Sequence, residues 1–98
     1  MSNGSLKNVT IIGSGVQGAM LIFRAAIYRK KVMAYDQSED SLKRAAAKIH
    51  GWLDEYVQNG KLSKEQADQS WENIVIANNI EEAVGDADII IENVPENL

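Results

Sequence analysis

Six residues near the start of the chain, Gly13-Ser14-Gly15-Val16-Gln17-Gly18, limit what it can fold into more than any other stretch. They follow a short β-branched run, Val9 to Ile12, and precede a segment whose apolar residues return at helical spacing. A chain that passes from strand to helix over three glycines brings its backbone close to something. Gly13 permits the sharp turn out of the strand, Gly15 leaves the main chain bare, and Gly18 lets the helix lie close on the sheet. The helix start then offers unpaired N–H groups and the positive end of the macrodipole, which suits a phosphate.

The alternation continues to the end of the chain. Val16, Ala19, Met20, Phe23, Ala26 and Ile27 form one helical stripe, and Leu21 and Ile22 widen it. Lys31 to Tyr35 reads as a second strand ending at Asp36. Ser38 caps a long helix with Glu39 and Asp40 in its first turn, and Asn59-Gly60 closes it. Ser63 and Gln66 form a capping box for a further helix running to about Trp71. Ile74 to Ala77 is a third strand, Asn79 and Glu82 cap a short helix ending at Gly85, and Ala87 to Glu92 is a fourth strand, followed by the loop Asn93-Val94-Pro95. This order predicts an α/β fold. It is a Rossmann-type, doubly wound parallel sheet, partial, in strand order 3-2-1-4, with a long helical hairpin between strands 2 and 3.

Asp36 lies eighteen residues after Gly18, at the end of the second strand, which is the context a dinucleotide fingerprint requires. Its carboxylate suits the ribose diol of the adenosine in NAD. A 2′-phosphate there would meet a like charge, at a cost of roughly 4 kcal/mol for a pair about 4 Å apart at an effective dielectric of about 20. Gln37 and Ser38 follow Asp36 and no arginine does, so NAD is expected over NADP.

Composition excludes other classes. The chain has 98 residues, 45% of them apolar, which suits one domain with a core of its own. Fourteen acidic against ten basic residues leave a net charge of −4, so no nucleic-acid partner is expected. Without cysteine there is neither a disulfide nor a thiolate metal site, and no metal is expected. No apolar run reaches bilayer length, so no membrane partner is expected, and the lack of cysteine fits a reducing cytosol, so the location is expected to be cytoplasmic. The only histidine, His50, falls with Lys43 and Asp54 on the polar face of a helix and reads as a solvated surface residue. Residues 1–6 read as a disordered start or an expression remnant.

The chain resembles the 3-hydroxyacyl-CoA dehydrogenase family. The likeness runs through Lys7-Asn8-Val9-Thr10-Ile11-Ile12-Gly13, Tyr35-Asp36-Gln37 and the hairpin with Gly60-Lys61-Leu62-Ser63. Its most specific part is Ala87 to Leu98, which is similar to the family's D-x-V-x-E-A-V-P-E-N segment. The resemblance implies the NAD-binding portion of an oxidoreductase that interconverts L-3-hydroxyacyl-CoA and 3-ketoacyl-CoA by hydride transfer. It assigns the pyrophosphate to Gly13, Ser14, Gly15, Val16, Gln17 and Gly18, the adenosine end to Asp36 and Gln37, and the nicotinamide side to Asn93, Val94 and Glu96.

The same resemblance implies an acyl-CoA-type substrate and a homodimeric parent. Lys61 and Lys64 fall where CoA phosphates would approach, although solvated lysines are the plainer reading. The family's catalytic histidine, in an H-F-x-N-P stretch, and its glutamate partner belong to later segments. No catalytic residue is therefore expected here, and the chain alone is expected to be inactive. Residues 7–98 are read as the first part of the NAD-binding domain, with the catalytic remainder and the helical C-terminal domain absent. The chain departs from the family pattern at Gln17, Met20 and Asn93, where an apolar residue, a glycine and an alanine are usual. Two alternatives stand beside this reading: an NAD-dependent dehydrogenase of a small hydroxy or sugar acid, and a non-catalytic NAD(H)-binding module.

Overall fold

Strand and helix alternate as β1 (Asn8–Ile12), α1 (Val16–Ile27), β2 (Lys31–Tyr35), α2 (Glu39–Gln58), α3 (Lys64–Glu72), β3 (Ile74–Ile76), α4 (Ile80–Val84) and β4 (Ile89–Glu92). This is a computed structural model that describes residues 7–93, so the expectations placed on residues 1–6, Val94 and Glu96 lie outside the described residues. All three strand pairings are parallel, and the order β3-β2-β1-β4 is the one predicted. Parallel neighbours need crossovers, and α1 and the α2–α3 hairpin supply the first two.

The register sorts the strand residues into two faces. Val9, Val32, Ile74 and Ile89 lie side by side, as do Ile11, Ala34, Ile76 and Ile91, and the period of two puts both rows on one face. Core residues of that face pack with Ala19, Ile22, Phe23 and Ala26 of α1 and Ala45, Ile49 and Leu53 of α2. Phe23 meets Tyr56 edge-on with ring centroids 5.0 Å apart, and Trp52 at 5.5 Å. On the opposite face, the buried Thr10 hydroxyl donates to the carbonyl of Ala83 and ties α4 to the sheet. Val75 and Ile90, in the same row as Thr10, stay exposed.

Three details differ from the expectations. Val16, assigned to the core stripe, is 65% exposed, because it opens α1 and the buried face begins only at Gly18 and Ala19. β4 begins at Ile89, not Ala87. Asp88 is used in a clip in which its carboxylate accepts the N–H groups of Lys7 and Asn8, both at 2.9 Å, while its own N–H donates to the Asn8 carbonyl at 2.8 Å. β3 ends at Ile76, although the Ala77 N–H still reaches the Ala34 carbonyl at 2.9 Å. The hairpin closes as its sequence suggests, with Gly60 at φ +76° and the Lys61 N–H on the Tyr56 carbonyl at 2.8 Å. His50 is exposed, and its ring lies 3.8 Å from that of Trp71, so it also joins α2 to α3.

Candidate functional site

The glycine loop joins β1 to α1 at the carboxyl end of the sheet. Gly13 has φ +97°, its N–H donates to the Tyr35 carbonyl at 2.8 Å, and a Cβ added to it would overlap the carbonyl oxygen of Asn93. A Cβ on Gly18 would overlap the Gly13 carbonyl and stand 3.2 Å from Asn93 Nδ2. The Asn93 N–H in turn donates to the Ile12 carbonyl at 2.7 Å, so the start of the loop, the start of α1 and the end of β4 are in close contact. Gly15 differs from both: a Cβ there would meet none of the described residues within 4 Å. Gly13 and Gly18 are demanded by the packing of the chain itself. The bareness of Gly15 is not demanded by any contact among the described residues.

The helix start is open in the electrostatic sense as well. α2, α3 and α4 are capped by the side chains of Ser38, Ser63 and Asn79, and each has at least one acidic residue in its first turn. α1 has neither a side-chain cap nor an acidic residue there. Its first N–H groups and the positive end of its dipole therefore have no local side chain set against them among the described residues. Gly15, Val16 and Gln17 are exposed, while Ser14 and Gly18 are buried.

Asp36, one residue past β2, faces this loop. Its Oδ2 accepts the Ser14 N–H at 2.7 Å and the Ser14 hydroxyl at 2.8 Å, and its Oδ1 accepts the Ser38 N–H at 2.8 Å. Burial pushes its pKa up, but the N–H groups of Ser38 and Ser14, the Ser14 hydroxyl and the Arg44 charge outweigh that and hold the carboxyl below its ordinary value. It is an anion at neutral pH. Asp36 and Gln37 line an open cavity of about 480 Å³ with Ile12, Gly13, Tyr35, Ile80 and Glu92. A second cavity of about 380 Å³, with Arg29, Gln66, Gln69 and Asn73 in its lining, lies at the other end of the sheet, away from the glycine loop.

The structure thus brings Gly13, Ser14, Gly18, Asp36, Gln37 and Asn93 together around the end of β1, with Gly15, Val16 and Gln17 at the open helix start. Lys61 and Lys64 have local partners. The Lys61 ammonium sits 5.0 Å from the Tyr56 ring centroid, and that of Lys64 is 3.5 Å from Asp68 on the surface. Sequence reasoning missed the Ser14 side chain as a partner of Asp36. A serine between two glycines carries no signal of where its hydroxyl points.

Comparison with known proteins agrees with this geometry. The family described as "3-hydroxyacyl-CoA dehydrogenase, NAD binding domain" matches residues 8–98. The chain is similar to the 3-hydroxyadipyl-CoA dehydrogenase of Escherichia coli (strain K12), at 34% identity over 96% of this chain and 20% of that protein. It is also similar to an L-carnitine dehydrogenase of Oceanobacillus iheyensis, at 36% identity over 93% of this chain and 28% of that protein. Among solved structures it superimposes on 3-hydroxybutyryl-CoA dehydrogenase from Escherichia coli K12 with a TM-score of 0.87 at 33% identity, covering 95% of this chain and 20% of that one. The chain therefore spans less than a third of the length of these relatives. With a parallel sheet in 3-2-1-4 order, a glycine loop bonded through Ser14 to Asp36, and a family match over nearly its whole length, the chain belongs to the 3-hydroxyacyl-CoA dehydrogenase family, in its NAD-binding domain.

Proposed function

We propose that this chain binds NAD(H) in preference to NADP(H), as the cofactor-holding part of an oxidoreductase that interconverts L-3-hydroxyacyl-CoA and 3-ketoacyl-CoA. The observation that carries the reading is Asp36, an ionised carboxylate fixed at the edge of a cavity of about 480 Å³ beside the glycine loop. The residues present fit the group. The bare Gly15 and the uncapped first turn of α1 accept a pyrophosphate, and Asp36 with Gln37 takes the adenosine ribose and turns away a 2′-phosphate by charge. Asn93, with Val94 and Glu96 beyond it, borders the nicotinamide half. NAD, when bound, supplies the hydride acceptor. The base that takes the hydroxyl proton belongs to the parent protein outside residues 7–98, which form the first part of its cofactor domain.

A second reading exchanges the CoA thioester for a small free hydroxy acid, and the L-carnitine dehydrogenases among the relatives support it. Both readings share the cofactor, so the first test concerns the cofactor. Calorimetric titration with NADH and NADPH is expected to detect binding of NADH alone. Asp36→Ala, which removes hydrogen bonds to a charged acceptor, should weaken NADH about ten- to a hundredfold. Equal binding of the two cofactors, or an Asp36→Ala protein that keeps full affinity, overturns the reading.

A further inference from the structure

The hydrogen bonds of Asp36 do not add up once a ribose is present, and the excess points to one residue. A carboxylate offers about four acceptor positions, two on each oxygen. Three are already taken among the described residues, by the Ser14 N–H, the Ser14 hydroxyl and the Ser38 N–H. A ribose diol brings two more donors, which makes five donors for four positions. When both hydroxyls donate to Asp36, one of the internal partners has to yield.

The two backbone donors are not free to do so. Ser14 follows Gly13, whose own N–H is bonded to the Tyr35 carbonyl at 2.8 Å. Ser38 is the N-cap of α2, its hydroxyl accepting the Ser41 N–H at 3.1 Å. Only the Ser14 hydroxyl turns about a single side-chain bond. The backbone N–H groups of Ser14 and Ser38, one on each oxygen, hold the carboxylate in place without it.

We propose that the Ser14 hydroxyl is a displaceable internal partner of Asp36, holding an acceptor position on Oδ2 until an adenosine ribose hydroxyl takes it over, so that Ser14 sets cofactor affinity by competition. This rests on the NAD(H) reading above and goes beyond it. Ser14 is only 3% exposed, so a displaced hydroxyl has no water of its own to turn to and must find a new acceptor or go without. Ser14 is a positioning residue here, acting through Asp36. Removing its hydroxyl frees the position and ends the competition, so cofactor binding should tighten.

The test compares the full chain with Ser14→Ala and Ser14→Thr, titrated with NADH and with the NADH analogue that lacks the adenosine 2′-hydroxyl. Ser14→Ala should bind NADH about three- to tenfold more tightly than the parent sequence, a change on the order of one hydrogen bond. It should show no gain with the analogue, whose single ribose donor already has a position on Oδ1. Ser14→Thr keeps a hydroxyl and should return the ratio of the two affinities to its original value. If Ser14→Ala loses affinity for both ligands alike, or gains equally for both, the hydroxyl only supports the loop and the inference is overturned. If the parent sequence binds neither ligand, the NAD(H) reading itself falls and takes the inference with it.

Discussion

Asp36 and Asp88 stand at opposite ends of the same sheet, and backbone N–H groups hold each of them. Asp88 accepts Lys7 and Asn8 on a single oxygen, both at 2.9 Å. The donors are consecutive residues at the start of β1, and the clip is closed by the Asp88 N–H on the Asn8 carbonyl and by Asn8 Nδ2 on the Asp86 carbonyl at 3.1 Å. Asp36 spreads its bonds over both oxygens, joins two different loops, and borders a cavity. Both carboxyls are held below their ordinary value. At Asp88 the N–H groups of Asn8 and Lys7 are the main cause, while at Asp36 the hydrogen bonds must first overcome burial. A carboxylate whose donors come from one strand fixes chain register. One that joins two loops beside an open volume is placed to recognise something.

The largest effect should come from the loop that Asp36 holds. Gly13→Ala puts a side chain at φ +97° and its Cβ onto the Asn93 carbonyl. It is expected to cost about 3 kcal/mol or more in urea unfolding, from left-handed strain together with backbone overlap. A loss under about 1 kcal/mol would mean that the loop shifts easily, and the end proposed to hold the cofactor would lose its distinction. Next come the aspartates themselves. Asp88→Ala should lower the urea midpoint and leave NADH affinity unchanged, the reverse emphasis from Asp36→Ala. If Asp88→Ala weakens NADH as much as Asp36→Ala does, the division between a structural end and a binding end is broken.

How much of this was legible in the sequence follows from the range of each interaction. The capping box is built from Ser63 and Gln66, three residues apart, with bonds of 2.9 and 3.0 Å, and pattern alone finds it. Strand order follows from alternation and crossover rules, so β3-β2-β1-β4 was within reach. Gly13 to Gly18 and Asp36 were legible as a spaced motif. The Asp88 clip was not, because its partners lie 80 and 81 positions away, and the apolar run after Ala87 reads as strand from its first residue. The Ser14–Asp36 bond spans 22 positions and depends on the rotation of one hydroxyl, which spacing does not encode. Val16 fits the helical period but stands at the open end of α1, where period alone does not say what lies opposite.

The smallest effect compares the two carboxylates in acid. A carboxyl whose folded pKa lies below its unfolded value of about 3.9 is protonated first in the unfolded chain. Its contribution to stability is complete above that value and is lost as pH falls through the folded pKa. Asp36 and Asp88 are both shifted in this direction, so the urea midpoint should hold from pH 6 to about 5 and decline below about 4. Asp36→Asn and Asp88→Asn should each lower the midpoint at neutral pH and make the acid decline shallower. The two sites lie at opposite ends of the strands and share no partner among the described residues, so the shallowing should add in the double variant. A double variant that declines as steeply as the parent chain would assign acid sensitivity to other carboxylates. The hydrogen bonds at both ends would then matter for geometry and not for proton linkage.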